Sequence, residues 1–145
     1  MYSGSEAISM DAKGRLAIPA RYRAALDSAC QGHLVVTAHH TERCLLVYPE
    51  PLWKDVSEHI NKISNIKSIT ARRLQRLLLG YATQVEMDAN GRILLSPTLR
   101  DYAGLDKGLM ITGVGDKLEI WNEKSWSLWL DESANADDLP DELPF

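Results

Sequence analysis

The sequence predicts a β-rich α+β fold assembled from two tandem copies of one small module, with helices at the periphery. Three observations predict it. The segment Met10-Asp11-Ala12-Lys13-Gly14-Arg15 returns as Met87-Asp88-Ala89-Asn90-Gly91-Arg92, identical at five of six positions and displaced by 77 residues. Each copy runs on through alternating apolar residues to a proline: Leu16, Ile18 and Pro19 in the first, Ile93, Leu95 and Pro97 in the second. Beyond each proline come two short apolar runs divided by a polar loop, the pattern of paired strands.

From the N-terminus, the first module reads as a strand, a turn through Asp11 to Gly14, and a second strand over Leu16 and Ile18. Pro19 suits a first helical turn, and Ala20 to Leu26 supplies the helix. Leu34-Val35-Val36-Thr37 and Cys44-Leu45-Leu46-Val47-Tyr48 are the paired strands. Pro49-Glu50-Pro51-Leu52-Trp53 then starts a helix, its glutamate placed to complement the dipole. The second module repeats the order with a helix over Thr98 to Ala103, strands Leu109-Met110-Ile111-Thr112 and Leu118-Glu119-Ile120-Trp121, and a helix start at Asn122-Glu123-Lys124-Ser125-Trp126. The expected halves are 5–53 and 81–126, joined by a helical connector over 54–80, within one compact unit spanning 1–130.

In the connector, Leu52, Val56, Ile60 and Ile63 form an amphipathic stripe, Asn65 marks a break, and Thr70 to Leu79 forms a helix terminated by Gly80. Between Lys54 and Leu79 there are six basic residues and two acidic ones, a balance of +4 that makes this the most basic region. A solvated helix face is one reading; contact with backbone phosphate or another subunit is the other.

The whole chain carries −4, yet residues 131–145 hold six acids (Asp131, Glu132, Asp137, Asp138, Asp141, Glu142) and no Lys or Arg. The remainder, with sixteen basic and fourteen acidic residues, carries +2. The acidic end reads as a disordered tail, serving solubility or competing with DNA for basic surface. At 45% hydrophobic over 145 residues the chain can bury a real core. No segment has the length of a membrane span and the start lacks a secretion signal, which predicts a cytoplasmic protein. Cys30 and Cys44 form no CxxC pair and read as reduced thiols.

The chemistry of the repeat lies in Asp-x-x-Gly-Arg. Gly takes a positive φ, and the Asp carboxylate accepts turn N–H groups. That carboxylate can also orient the arginine after the glycine by a charge-assisted bond. A guanidinium held extended at a loop rim suits bidentate contact with guanine or phosphate. Lys13 adds a phosphate partner in the first copy; Asn90 adds none in the second. A single such turn is commonly structural, whereas two copies that both keep the arginine favour equivalent loops on one pseudo-symmetric face.

The paired Asp-x-x-Gly-Arg turns, the central Arg73-Leu74-Gln75-Arg76-Leu77-Leu78-Leu79-Gly80 and the strand Leu118-Glu119-Ile120-Trp121 together resemble the MraZ family, transcriptional regulators encoded at the head of the bacterial division and cell wall cluster. The resemblance covers residues 5 to about 130. It implies two tandem, pseudo-twofold-related AbrB-like swapped-hairpin halves, a double-split β-barrel with peripheral helices. It also implies a homo-oligomeric ring that binds tandem repeats in promoter DNA, represses its own operon and associates with the nucleoid. Carried over, the DNA-contacting loops are Asp11, Gly14 and Arg15, and Asp88, Gly91 and Arg92. Arg15 and Arg92 are then the base readers, Lys13, Arg21 and Arg23 phosphate contacts, and the two Asp, with Gly14 and Gly91, orient the loops.

Other classes compete. His33, His39, His40 and His59 with Cys30 and Cys44 show no catalytic spacing, so no catalytic residue, metal or cofactor is expected; a site from His39, His40 and Cys44 lacks a second cluster. An oligomeric protein-interaction module without DNA readout is the alternative, with Trp53, Trp126 and Trp129 as its surface. Aromatic residues at strand and helix edges are more commonly core.

Overall fold

The computed structural model describes residues 1–132 and 139–144. The elements of the first module are β1 (Tyr2–Ser9), β2 (Arg15–Ala17), α1 (Ala20–Cys30), β3 (His33–Ala38), β4 (Leu45–Pro49) and α2 (Glu50–Asn61). They are followed by α3 (Ile69–Leu78). The same order then returns as β5 (Thr83–Glu86), β6 (Arg92–Leu94), α4 (Pro97–Ala103), β7 (Gly108–Gly115), β8 (Leu118–Asn122) and α5 (Glu123–Asp131). The fold is α+β, with antiparallel strand pairing throughout these elements.

Six strands form one sheet in the order β1-β7-β8-β4-β3-β5. Replacing each strand by its counterpart in the other module reverses that order and leaves it unchanged. The modules exchange strands: β1 pairs with β7, from Tyr2 opposite Gly115 to Ser9 opposite Gly108, while β5 pairs with β3, from Thr83 opposite Val36 to Glu86 opposite His33. β2 and β6 leave the sheet and form a two-stranded ribbon, in the register Arg15–Leu94, Leu16–Ile93 and Ala17–Arg92. The strands flanking the first turn are tied to each other by a single bridge, Met10 to Leu16.

Alternation puts Leu16 and Ile93 on the inner face of this ribbon, buried to 2% and 1% exposure, against Ile18, Leu95 and the inward residues of the sheet. Both modules thus share one core, in which each fully buried aliphatic side chain contributes roughly 1.5–3 kcal/mol. A second cluster sits on the outer face, where Ile60 of α2 and Leu78 of α3 cover Leu46 and Tyr48. Thr37 ties α3 to the sheet by donating to the Leu78 carbonyl at 2.7 Å. In the second module α5 covers the matching face, with Trp126 of α5 stacked edge-on to Trp121 at 5.7 Å.

Some local expectations give way. α1 runs to Cys30 rather than Leu26 and is closed by Gln31 at φ 56°. Gly80 is not a left-handed cap: α3 ends at Leu78 with a helical Leu79, and backbone bonds from Tyr81 and Ala82 complete the stop. Glycine is required there for another reason, because a Cβ would strike the Arg76 carbonyl. Ile63 falls beyond the end of α2 and is 42% exposed, so it lies outside the buried stripe. Trp129, for which the core is the commoner place, packs against the Trp121 and Trp126 rings at 6.0 and 5.4 Å yet stays 43% exposed at the end of the chain's last described helix. The expected acidic tail meets the structure only in part: Asp131 ends α5, and residues 133–138 and 145, including Asp137 and Asp138, lie outside the described residues.

Candidate nucleic-acid interface

The two repeated turns have one geometry. In the first, Asp11 Oδ1 accepts the backbone N–H groups of Lys13 at 3.0 Å and Arg15 at 2.9 Å, while Oδ2 accepts Arg15 Nε–H at 2.9 Å. In the second, Asp88 Oδ1 accepts from Asn90 and Arg92 N–H, both at 2.9 Å, and Oδ2 accepts Arg92 Nε–H at 3.1 Å. Gly14 and Gly91, at φ +92° and +75°, close the turns by donating to the Asp11 and Asp88 carbonyls at 3.0 and 2.9 Å. The change from Lys13 to Asn90 leaves this scaffold intact, since only a backbone N–H is used there; what it removes is a cation.

The backbone N–H of Arg15, with its guanidinium and the Lys13 N–H, holds the Asp11 carboxyl below the usual carboxylate range. Arg92 and Asn90 do the same for Asp88. Both carboxylates are therefore ionised at neutral pH. Each binds Nε and leaves the outer edge of the guanidinium free, and both arginine side chains are over two-fifths exposed.

Pairing of β2 with β6 brings the turns together. Arg15 opposes Leu94 and Arg92 opposes Ala17, so both arginines stand on the outward face as diagonal neighbours, roughly 7–8 Å apart at the backbone. Between them that face carries Ala17 and Leu94, the latter 56% exposed. A two-stranded ribbon fits the major groove of duplex DNA.

The remaining expected residues separate. Lys13 is exposed in the first turn. Arg21 reaches neither turn; its guanidinium lies against Gly4 of β1, 6.0 Å from the Tyr22 ring centre. Arg23 reaches the second turn from the first module: its Nε donates to the Ile18 carbonyl at 2.5 Å, and its side chain lies over Gly91. Arg100 lies over Gly14 in the same way. The sequence reading missed Arg100, although its offset from Arg23 is the same 77 residues as between the motifs. A cleft of about 360 Å³ opens beside the first turn, lined by Asp11, Arg100, Asp106 and Lys107 among others.

The histidine and cysteine candidates are placed elsewhere. His39 Nδ1 accepts the N–H groups of Thr41 and Glu42, and burial pushes its pKa below the usual histidine range. Cys30 and Cys44 are buried free thiols, and burial raises both pKa values. No group of three or more His, Cys, Asp or Glu side chains among the described residues is arranged to hold a metal ion. No helix among them is long and apolar enough to cross a membrane.

Fold and site define a duplicated antiparallel α+β protein that carries two equivalent arginine-bearing turns on one shared ribbon. The model of the MraZ family, described as "MraZ protein, putative antitoxin-like", matches it twice, over residues 1–77 and 78–142. The chain belongs to the MraZ family. It is 52% identical over 143 residues to the transcriptional regulator MraZ of Saccharophagus degradans, covering 99% of this chain and 97% of that one. Its identity to the MraZ regulator of Marinobacter nauticus is 49% over 143 residues, with 98% and 95% covered, and to that of Nitrosospira multiformis 47% over 144 residues, with 99% and 97% covered.

Proposed function

We propose that this chain is a transcriptional regulator that reads duplex DNA through Arg15 and Arg92. The observation that carries the reading is the pair of identical Asp-braced arginines on one face of the β2–β6 ribbon. An aspartate that fixes Nε and leaves the outer nitrogens free pre-orients the side chain for the O6 and N7 edge of guanine. Lys13 and Arg21 act as phosphate contacts, and the terminal nitrogens of Arg23 add a third. Asp11, Gly14, Asp88 and Gly91 orient the loops. The name carried by the relatives supports transcriptional regulation as the biological output; the proposal places that regulation on the chain's own division and cell wall operon, as repression, in the cytoplasm at the nucleoid.

The finer architecture belongs to the same proposal: halves 5–53 and 81–126 around a connector 54–80 in a unit over 1–130, each an AbrB-like swapped hairpin in a double-split barrel. The exchange of β1 and β5 between modules supports it. Assembly of a homo-oligomeric ring on tandem promoter repeats is part of the same proposal. The α2–α3 corner exposes Ile63, Ile66 and Ile69 among Lys62, Lys67 and Arg76, whereas the end of α5 exposes Leu128, Trp129 and Leu130 beside Asp131 and Glu132. Two different patches of complementary charge make a head-to-tail contact, and head-to-tail contacts generate rings when the rotation closes. Several linked sites on one DNA raise affinity beyond that of any single ribbon.

The exposed α5 residues also favour the second reading, a protein-interaction module without DNA readout. A gel-shift titration at two salt concentrations separates them, using a duplex from upstream of this chain's own coding sequence. DNA readout requires salt-sensitive binding by the wild type and markedly weakened binding, with assembly intact, in Arg15→Ala and Arg92→Ala. Equal binding by both variants makes the turns structural and leaves the interaction module.

A further inference from the structure

Each turn glycine is packed by the other module. Gly14 belongs to the first turn, yet a Cβ placed there would meet the Leu95 carbonyl at 2.7 Å and the Arg100 guanidinium at 2.8–3.0 Å, both from the second module. Gly91 belongs to the second turn, and a Cβ there would strike Arg23 of the first module, 2.6 Å from its Cδ. The backbone repeats the crossing: Leu95 N–H donates to the Gly14 carbonyl at 2.9 Å, and Ile18 N–H to the Gly91 carbonyl at 2.8 Å. Arg23 and Arg100 occupy equivalent places on α1 and α4, 77 residues apart. Both turn glycines are buried, and against each lies the planar guanidinium plate of an arginine from the opposite module.

We infer that Arg23 and Arg100 are positioning residues acting across the modules, Arg100 setting the first turn and hence Arg15, Arg23 setting the second turn and hence Arg92. The chemistry favours arginine at these places. Its planar guanidinium can lie flat on a glycine backbone, which the round ammonium of lysine cannot do. The two plates differ in one respect. Arg23 Nε is held by the Ile18 carbonyl, whereas Arg100 Nε is buried without a hydrogen-bond partner among the described residues. The second plate is therefore anchored at Nε and the first is not, which leaves the first turn more dependent on what surrounds it.

This inference rests on the DNA reading for its effect on binding, but not for its structural content, and the test separates the two. Amide hydrogen exchange on the free full-length protein comes first. Arg100→Ala should speed exchange at the Lys13 and Arg15 amides, which Asp11 protects, and leave Asn90 and Arg92 unchanged; Arg23→Ala should do the reverse. Acceleration in the variant's own module, or at both turns equally, overturns the inference.

Titration of the same upstream duplex then reads the coupling. Adding Arg100→Ala to Arg15→Ala should weaken binding by less than about twofold, because the residue it positions is gone, whereas in Arg92→Ala its full loss should multiply through. Arg23→Ala carries the loss of its own phosphate contact into every pairing, so its test is the remaining part of its effect, which should disappear when Arg92→Ala is already present and persist with Arg15→Ala. Arg100→Ala should also leave the dependence of binding on salt unchanged, since a lost phosphate contact lowers that slope by about one. Losses that multiply in every pairing, or a reduced slope, make Arg100 an ordinary phosphate contact and sink the crossing. If an alanine variant fails to fold, Arg100→Lys and Arg23→Lys carry the same experiments, and full recovery by lysine would show that charge rather than the flat plate is used. A wild type that does not bind the duplex removes the DNA reading, and the exchange pattern still decides the crossing.

Discussion

Asp11 grips Arg15 at two points, its Oδ1 taking the backbone N–H and its Oδ2 the side-chain Nε–H, each at 2.9 Å. The side chain is thus fixed relative to its own backbone, and an arginine so fixed loses less rotamer entropy on meeting a ligand. This bears on a substitution whose sign is not obvious. Deleting an acid beside a DNA-binding arginine removes repulsion from phosphate and on charge alone strengthens binding. If the aspartate acts by orientation, Asp11→Ala and Asp88→Ala should each weaken binding to the upstream duplex by about tenfold, the worth of a charge-assisted bond. Tighter binding in a gel shift would reduce the aspartates to surface charge.

Across pH, the two aspartates and His39 act in separate windows. The folded pKa values of Asp11 and Asp88 are depressed, so the stability they bring is present above the ordinary carboxylate range, near pH 4, and is lost as pH falls toward their folded values. Braced turns therefore persist at pH 5. His39 is also depressed, by burial. Here the unfolded chain takes up the proton first, so stability falls as pH drops below about 6.5. His40, depressed by burial and by its stacked neighbour His39, adds in the same direction. Urea melts from pH 7.5 to 5.0 should show declining midpoints, and His39→Asn, which keeps an acceptor for the Thr41 and Glu42 N–H groups, should flatten the decline. An unchanged slope in that variant excludes His39 as a source.

The ribbon's inner face makes a stability prediction. Leu16 and Ile93 oppose each other and are almost fully buried. Truncation of either to alanine should cost about 2–5 kcal/mol. Because the core is shared, each variant should melt in one transition, by calorimetry, at a lower temperature. Two separate transitions would mean that the modules unfold independently.

Cys30 and Cys44 should not react with a thiol reagent in the native state. Both are buried, Cys30 donates to the Leu26 carbonyl at 3.1 Å, and burial raises both pKa values, so little thiolate forms at neutral pH. In a colorimetric assay, labelling should follow unfolding. A fast native phase would contradict the burial.

Much of this was legible in the residues, and the rest was hidden for physical reasons. The motif pair announced the duplication, and turn chemistry alone foretold that Asp11 and Asp88 hold the arginines, because Asp-x-x-Gly-Arg closes within five residues. Strand partners were not legible from pattern. Nothing in Tyr2 to Ser9 says that it pairs with residues 108–115 rather than with its neighbour across the turn, since alternation fixes which face is buried but not which strand is adjacent. Arg100 escaped because its role depends on that exchange: on α4 it is an ordinary helix arginine until the first turn arrives from the other module. Ile63 kept the spacing of a core residue after its helix had ended.

One consequence of the exchanged strands concerns concentration. Were each module a separate short chain, the sheet would form only when two chains met, and dilution would dissolve it. Joining them through residues 62–82 makes the encounter intramolecular, so the pair holds together at any dilution. The linkage also lets the two copies diverge, as Lys13 and Asn90 already have. An obligate pair of identical chains must present the same turn twice; a single chain that contains its own partner can offer two different ones to an asymmetric target.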